Sequence, residues 1–292
     1  MTNGATDIPA GPQGSLRGGG RILVLLDGSP MSYAALGAAA DLAARTGADV
    51  LGVFVEEINL LRSAGYSFSR EVGSVSGISR AFDAVGIERR LQRLADQARQ
   101  ALARAVTGRD GRHGLTVARG SVVDEVLALA GPDDLLVLGR VGWSSTPGAR
   151  LGSTARSLIQ RSPGRVMLWC EQPATAPGRI VVFLNDHDQA NQRAVDAAAE
   201  ASARYHQPVT ALLCPGATVA PEQLDDIRQA LSVLGAGVRL QVLPATDPAT
   251  IAQAVRREHA SHLVVSRECG LFQKPGAGPL LIALNLPVTI TP

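Results

Sequence analysis

Continuous apolar runs of strand length recur along this chain, and they constrain the fold more than any other feature. RILVLLDGSP (21–30) is the first run, and VLGVFVEE (50–57) is the second. The first run does not alternate between polar and apolar residues, which is typical of a strand buried on both faces of a parallel sheet, and the second is predicted as a further strand. Helical patterns separate the runs. The sequence therefore predicts an α/β fold in which helices cover both faces of a parallel sheet.

The intervening patterns carry helix signals of their own. An alanine-rich pattern over 30–47 ends at Gly47, a residue suited to a left-handed C-cap. Residues 87–106 place apolar side chains on one helical face and arginines on the other. The remaining elements of this part alternate as strand, helix, strand, helix and strand over 115–120, 121–131, 133–139, 153–162 and 165–170. We predict five strands and four helices in alternation.

The same pattern then restarts. RIVVFLNDHD (179–188) resembles the first run, and residues 194–214 align without gaps to residues 35–55. The elements that follow are predicted as helix, strand, helix, strand and strand over 221–235, 237–243, 247–260, 262–266 and 287–291. We infer a tandem duplication of one α/β unit. The expected organisation is a disordered tail (1–20), a first domain (21–170), a linker (171–178) and a second domain (179–292).

Composition excludes several classes of protein. Among 292 residues, 46% are apolar and 18% are charged, and the formal net charge is +2 with no basic cluster. A dedicated nucleic-acid binder would normally show a basic face. The three cysteines have no metal-binding spacing, so a reduced, cytoplasmic setting is expected. No apolar run reaches the roughly 18–20 residues of a membrane span.

A glycine-rich segment, GRVGWSSTPGARLGST (139–154), joins a predicted buried strand to a predicted helix. Glycine lets backbone N–H groups approach a phosphate without an obstructing Cβ atom. A helix N-terminus adds the positive end of its dipole. The hydroxyls of Ser153 and Thr154 can donate to phosphate or cap the helix. We predict a phosphate site here; the alternative is that the glycines only turn the chain and Ser153 only caps.

Ligands of open parallel sheets bind at the carboxyl ends of strands, where the strand order reverses. If the first and fourth strands are neighbours there, Asp27 faces Gly139 across a crevice. Asp27 could then contact a ribose, an adenine or a metal near phosphate, or it could simply form the turn before Gly28. The backbone of residues 54–56, at the end of the second strand, could pair with an adenine edge.

Residues 21–170 resemble the universal stress protein family of ATP-binding α/β domains, and residues 179–292 resemble it more weakly. The resemblance rests on LVLLDGS, LGVFV and the glycine-rich segment, which fits the family's Gly-x2-Gly-x9-Gly-Ser/Thr pattern residue for residue. It implies two tandem open parallel sheets of five strands, in the order 3-2-1-4-5 of the adenine nucleotide alpha hydrolase-like fold. It also implies a bound ATP, with ADP or AMP left open, with or without Mg²⁺.

Carried over by position, the resemblance assigns roles to seven residues. Phosphate contacts would come from Gly142, Gly152, Ser153 and Thr154. Asp27 would lie near the nucleoside, Gly139 near the ribose, and the backbone of Phe54 against adenine. Arg140, Arg150 and Arg156 flank the segment and could reach phosphates or remain solvated.

The second repeat departs from the pattern. Its segment SRECGLFQKPGAGPLL (266–281) has Ser266 or Arg267 in place of Gly139, and Gly278-Pro279 where Ser or Thr is needed. Since proline supplies no N–H group, we expect no ATP in this repeat. Family members dimerise through their last strand, so RVMLWC (165–170) and PVTIT (287–291) are expected to pair as an internal pseudo-dimer. Whole chains could pair again, or loops could cover both edges.

Residues for catalysis are not evident. The sequence lacks the motifs Gly-x4-Gly-Lys-Ser/Thr, Gly-x-Ser-x-Gly and His-Glu-x-x-His. Asp186-His187-Asp188 is best explained as a solvated loop. We therefore predict neither catalytic residues nor metal ligands. The favoured hypothesis is an ATP-binding regulatory protein whose occupancy tunes contact with a protein partner. The insertion 56–86 would form the partner surface or a lid. The alternatives are a slow metal-dependent ATPase or adenylate-forming enzyme, and a scaffold with a vestigial site.

Overall fold

The computed structural model describes most of the chain beyond its first 19 residues. The described residues are 20–140 apart from 65, 67, 74–75 and 82; 151–170; 178–184; 188–214; 225; 229; 237–269 apart from 246; and 277–292. We call residues 20–170 the first half and residues 178–292 the second half.

The first half alternates strands and helices in the predicted order. Its elements are β1 (Ile22–Leu26), α1 (Pro30–Thr46), β2 (Val50–Glu57), α2 (Ile58–Ala64), β3 (Arg70–Val72), β4 (Ser79–Ala81), α3 (Ala84–Val106), β5 (His113–Gly120), α4 (Val122–Leu129), β6 (Leu135–Gly139), α5 (Ser153–Arg161) and β7 (Arg165–Trp169). The second half contains β8 (Arg179–Leu184), α6 (Asp188–Tyr205), β9 (Val209–Leu213), β10 (Arg239–Val242), α7 (Pro248–Arg257), β11 (Ala260–Ser266), α8 (Ala277–Ala283) and β12 (Val288–Thr291).

Ten of these strands form one continuous sheet in the order β10-β9-β8-β11-β12-β7-β6-β1-β2-β5. Within each half the main strands follow the order 3-2-1-4-5 and pair in parallel, so the predicted topology is confirmed. The halves meet where β12 pairs antiparallel with β7, with Thr289 opposite Met167. The predicted pairing of the two closing strands is therefore confirmed, and it fuses the two expected sheets into one.

Local sequence signals explain the ends of α1. Ser29 is the N-cap and its side chain accepts a hydrogen bond from Ser32 N, while Pro30 occupies the first helical position. At the other end, Gly47 adopts a left-handed φ of 69° and its N–H donates to Ala43 O. Both ends of α1 thus follow from residues adjacent in the chain, as predicted for Gly47.

The hydrophobic core is shared between the halves. One cluster lies on the sheet face covered by α4, α5, α7 and α8, and it joins Leu136 and Leu158 of the first half to Leu281 and Ile290 of the second. Two further clusters each belong to one half, beneath α1 and α3 or beneath α6. Because buried apolar area is the main favourable term in folding, this shared cluster binds the halves to each other.

Three segments differ from the sequence-based expectation or fall outside the description. The insertion 56–86, expected as a loop, contains α2 and a hairpin in which β3 and β4 pair antiparallel. Helix α8 lies in a segment expected as loop; Pro279 is compatible with it because first-turn N–H groups have no intrahelical partner. The helix predicted over 221–235 lies outside the described residues except at 225 and 229. Among the described helices, none is long and apolar enough to cross a membrane.

Candidate functional site

A crevice opens in the first half between the carboxyl ends of β1 and β6. The ladder between these strands runs from Ile22–Leu135 to Val24–Val137. Strand β1 continues to Leu26 paired with β2, up to the pair Leu26–Phe54. Strands β1 and β6 therefore separate before either one ends. This is the point where the strand order reverses, which is where open α/β sheets hold their ligands.

Asp27 is the first residue after β1, so it lies at the mouth of this crevice. Its Oδ1 accepts a hydrogen bond from Ser29 N at 2.9 Å. Gly28, with φ of 80°, allows the chain to turn from β1 into α1. Asp27 therefore does stabilise this turn, as the alternative prediction stated. A carboxylate has several acceptor positions, so the bond from Ser29 N is compatible with a ligand contact.

Tyr33 is a neighbour of Asp27 that the sequence patterns did not identify. It lies on α1 one turn after the helix begins, and its Oη is buried without a hydrogen-bond partner among the described residues. Burial, and secondly the negative charge of Asp27, raise the pKa of Tyr33 above its ordinary value. The phenol is thus kept protonated near the Asp27 carboxylate. A tyrosine in an otherwise alanine-rich helix was the available sequence signal.

Phe54 lies in β2 with its side chain in the core, only 2% exposed. Its backbone is paired with Leu26 on one side and Val117 on the other. Beyond it, residues 55–57 extend past the end of β1 and pair with β5. The backbone edge that faces the crevice is therefore that of residues 55–57, immediately after Phe54.

Two acidic side chains fix the end of β2. The Oε2 atom of Glu56, a buried residue, accepts from Arg119 Nε at 2.8 Å. The Oε2 atom of Glu57 accepts from Val122 N at 3.3 Å, at the start of α4. The first contact joins β2 to β5, and the second joins β2 to α4. Both contacts lie on the side of β2 away from the crevice. They hold the strand in place, which favours a rigid backbone edge on the side that faces the crevice.

Gly139 ends β6 directly against the first turn of α1. A Cβ atom added at Gly139 would lie 2.5 Å from Met31 Cγ and 3.3 Å from the carbonyl carbon of Met31. Close packing against Met31 therefore favours glycine at this position whether or not a ligand binds. The contact also brings the end of β6 next to the turn that carries Asp27.

Gly152 differs from Gly139 in the space around it. Its φ of −56° and ψ of 150° can be adopted by any residue, and an added Cβ would meet no described atom within 4 Å. Neither its backbone conformation nor its packing against the described residues therefore requires glycine here. Gly152 is the N-cap of α5, so the alternative that Ser153 caps this helix is wrong; Ser153 is the first helical residue and is exposed.

The first turn of α5 is suited to an anion. Helix α5 leads into β7, which runs parallel to β6, so the helix begins at the carboxyl edge of the sheet, beside the crevice. Its N-cap provides no side-chain hydrogen bond, and its first turn has no acidic residue. The N–H groups of Ser153 and Thr154 belong to the helix N-terminus and have no intrahelical partner, and the helix dipole favours negative charge there.

The structure therefore places six of the seven predicted site residues around the carboxyl edge of the first half, on β1, β2, β6 and α5. Gly142 lies outside the described residues, as does Arg150. Arg156 is exposed on α5.

Arg140 follows Gly139 but its guanidinium is directed to the second half. It is 5% exposed, and it donates from Nη1 to Leu281 O and from Nη2 to Asn285 Oδ1 at 2.9 Å. Burial lowers the pKa of Arg140, whereas Cys170 acts in the opposite direction. The sequence offered two roles for Arg140, phosphate contact and solvated surface. The second is wrong, because the side chain is buried between the halves.

The equivalent place in the second half is built differently. Ser266 ends β11, is buried, and accepts a hydrogen bond from Glu268 N through Oγ at 3.1 Å. Pro279 occupies the first turn of α8 and removes one N–H donor there. Residues 185–187, which follow β8 and include the candidate Asp186 and His187, lie outside the described residues. Among the described residues, no group of three potential metal ligands comes together.

The strand order, the crevice at the switch point and the helix that begins beside it define an α/β protein of the adenine nucleotide alpha hydrolase-like fold. The model of the Universal stress protein family matches residues 20–169, just over half of the 292 residues, and the protein belongs to this family. No match was found among curated protein sequences.

Solved structures share this architecture over nearly the whole chain. A universal stress protein from Archaeoglobus fulgidus DSM 4304 superposes with a TM-score of 0.68 at 13% identity, covering 93% of this chain and 95% of that one. A putative universal stress protein from Pseudomonas aeruginosa UCBPP-PA14 gives 0.56 at 12% identity, covering 94% and 93%. A functionally unknown protein from Pseudomonas aeruginosa PAO1 gives 0.56 at 12%, covering 94% and 92%. At such identities the likeness concerns the fold alone.

Proposed function

We propose that the first half binds an adenine nucleotide in the crevice between β1 and β6, and that nucleotide occupancy regulates contact with a protein partner. The observation that carries this proposal is Gly152. Neither its backbone dihedrals nor any described neighbour requires glycine, yet it is the N-cap of a helix that begins beside the crevice, and it makes no side-chain cap hydrogen bond. A phosphate group against the backbone would explain why no side chain is present there.

The phosphate chain would lie at the start of α5. The N–H groups of Ser153 and Thr154 would donate to phosphate oxygens, the two hydroxyls would add donors, and the helix dipole would favour the negative charge. Gly142 would contribute from the preceding segment. We propose ATP as the ligand, with ADP or AMP fitting the same donors and Mg²⁺ as an optional companion.

The nucleoside would lie across the carboxyl ends of β1 and β2. Asp27 is a carboxylate at the end of β1, positioned by its hydrogen bond from Ser29 N, and it would accept from a ribose hydroxyl. Gly139 would border the ribose. The backbone at Phe54 and the residues just after it would pair with the adenine edge. These groups bind and orient a nucleotide, which supports a binding protein more than an enzyme.

The partner surface is proposed to be the insertion 56–86. Helix α2 follows β2 directly, and the hairpin β3–β4 extends from it. The segment exposes Tyr66 at 57% and Phe68 at 79%, whose rings stack with centroids 5.3 Å apart. Exposed apolar patches commonly mark interaction sites. We further propose that the protein acts in the cytoplasm and that whole chains pair.

The binding proposal is tested by comparing two substitutions that add the same side chain at open positions. Gly152→Leu fills the space beside the α5 N-terminus, and Gly37→Leu adds leucine in α1, where an added Cβ also meets no described atom within 4 Å. We expect the wild type and Gly37→Leu to bind ATP in isothermal titration calorimetry and Gly152→Leu to lose at least tenfold in affinity. A wild type that ignores millimolar ATP, ADP and AMP would refute the proposal. Equal affinities of all three proteins would refute the phosphate position.

A further inference from the structure

Two arginines occupy equivalent positions in the two halves. Arg140 follows β6 and Arg267 follows β11, the fourth main strand of each half. The backbone N–H of Arg140 donates to Trp169 O at 3.2 Å, and that of Arg267 donates to Thr291 O at 2.9 Å. Each arginine is thus tied by its backbone to the end of the last strand of its own half.

The side chains of these arginines cross to the opposite half. Arg140 reaches Leu281 O of α8 and the side chain of Asn285. Arg267 Nη1 reaches Gln160 O at 3.3 Å and Ser162 O at 2.6 Å, at the end of α5. Both arginines therefore bind the C-terminal end of the helix that precedes the last strand of the other half. Helix C-termini present unpaired carbonyl groups and favour cations.

The two contacts differ in burial and in what they join. Arg140 is 5% exposed, whereas Arg267 is only partly buried. Arg140 is also the first residue after Gly139, at the start of the glycine-rich segment, whereas Arg267 belongs to the half without the glycine pattern. A buried guanidinium has few alternative partners, so the contacts of Arg140 restrict the backbone that carries it.

The other end of the glycine-rich segment also contacts α8. Leu151 precedes Gly152 and is 5% exposed, and a Cβ added at Gly278 would lie 3.5 Å from Leu151 Cβ. Leu151 belongs to the core cluster that includes Leu280 and Leu281. Both flanks of the segment, at Arg140 and at Leu151, therefore rest on the second half.

We propose that Arg140 is a positioning residue for the nucleotide site, and that its contacts with α8 and Asn285 make the nucleotide affinity of the first half depend on the second half. This inference rests on the proposed nucleotide binding. Arg140 acts through the backbone at Gly139 and the start of the glycine-rich segment. By linkage, a nucleotide bound in the first half stabilises the contact between the halves to the same extent.

The test measures the ATP dissociation constant of the full-length wild type and of five variants, the fifth being Arg140→Lys. Arg140→Ala removes the guanidinium. Asn285→Gly removes its acceptor in the other half, and glycine retains the φ of 44° at that position. The double variant completes a cycle, and Arg267→Ala is the matched control, since it breaks the reciprocal contact about 13 Å from the start of α5.

We expect Arg140→Ala to weaken ATP binding about tenfold and Asn285→Gly several-fold, within the usual range of coupling between sites. The double variant should bind no more weakly than Arg140→Ala alone, because both changes remove one contact. Arg267→Ala should stay within about twofold of the wild type, although both arginine variants lower the melting temperature. Arg140→Lys keeps the positive charge but lacks the planar guanidinium, so its ATP affinity should lie between those of the wild type and Arg140→Ala.

Three results would overturn the inference. If the wild type binds ATP and both Arg140→Ala and Asn285→Gly bind it equally well, the positioning role is wrong while the proposed function stands. If Arg267→Ala weakens binding as much as Arg140→Ala, the contact is only structural. A wild type that binds none of ATP, ADP and AMP refutes the proposed function and this inference together. If Arg140→Ala fails to fold, Asn285→Gly decides between these outcomes.

Discussion

Acid should destabilise this protein through His262, a buried histidine of β11. The residue is 5% exposed, and its Nε2 lies 2.8 Å from Thr289 Oγ1 of β12. Burial, and secondly the positive charge of Arg204, lower its pKa from 6.5 to about 4. The folded protein therefore keeps His262 neutral at a pH where the unfolded chain has already bound a proton.

The sign and size of the effect follow from linkage. Well above pH 6.5 neither state is protonated at His262, and this contribution to stability is complete. As the pH falls from 6.5 to about 4, only the unfolded state takes up the proton, so stability is lost across this window. Each tenfold ratio between the proton dissociation constants of His262 in the folded and unfolded states corresponds to about 1.4 kcal/mol. The free energy of unfolding therefore falls by about 3 kcal/mol near pH 4.

The assay is urea unfolding of the wild type and of His262→Gln at several pH values between 7.5 and 4.5. Carboxylates titrate in both proteins, so the informative quantity is the difference between them. His262→Gln should be less stable at pH 7.5 and should approach or exceed the wild type at pH 4.5. His259→Asn is the control: it is exposed, and asparagine suits its φ of 48°. Parallel stability curves for wild type and His262→Gln would refute the reasoning.

Two further substitutions test the packing at the crevice and between the halves. Gly139→Ala should lower the free energy of unfolding, measured by chemical denaturation, by about 1–3 kcal/mol, because the new methyl group overlaps Met31. Adding Met31→Ala to this variant should recover part of that loss. A Gly139→Ala variant as stable as the wild type would contradict the close packing. Leu281→Ala should lower the free energy of unfolding by about 2–5 kcal/mol, because Leu281 is completely buried in the cluster shared by both halves. Unfolding of this variant should remain one transition. Two separate transitions would show that the halves fold independently.

The strands and helices were largely predictable because their signals are local. The segment VLGVFVEE (50–57) was predicted as a strand, and β2 has those same limits. Gly47 ends α1 in the conformation that its position predicted. The insertion 56–86 was less predictable, because α2 and the hairpin β3–β4 are short and mostly exposed, so burial imposes little periodicity on their sequence.

The candidate site was predictable in its position along the chain but not in the reason for each residue. Asp27, Gly139 and Gly152 look equivalent as residues at element ends. Their surroundings separate them: Asp27 also holds a turn, Gly139 packs closely against Met31, and Gly152 is required by no described neighbour. Such distinctions depend on atoms brought together by folding, which a pattern of residue types does not contain.

The parallel α/β units, their helix ends and the glycine-rich connection could be inferred from residue patterns, because each depends on residues within one or two turns of one another. The contacts that join the halves became evident only in the folded protein. Arg140 and Leu281 are separated by 141 positions, and an arginine after a strand could equally face solvent, a phosphate or another helix. The antiparallel pairing of β7 with β12 settles the choice, since it brings the C-terminal end of α8 within reach of the guanidinium.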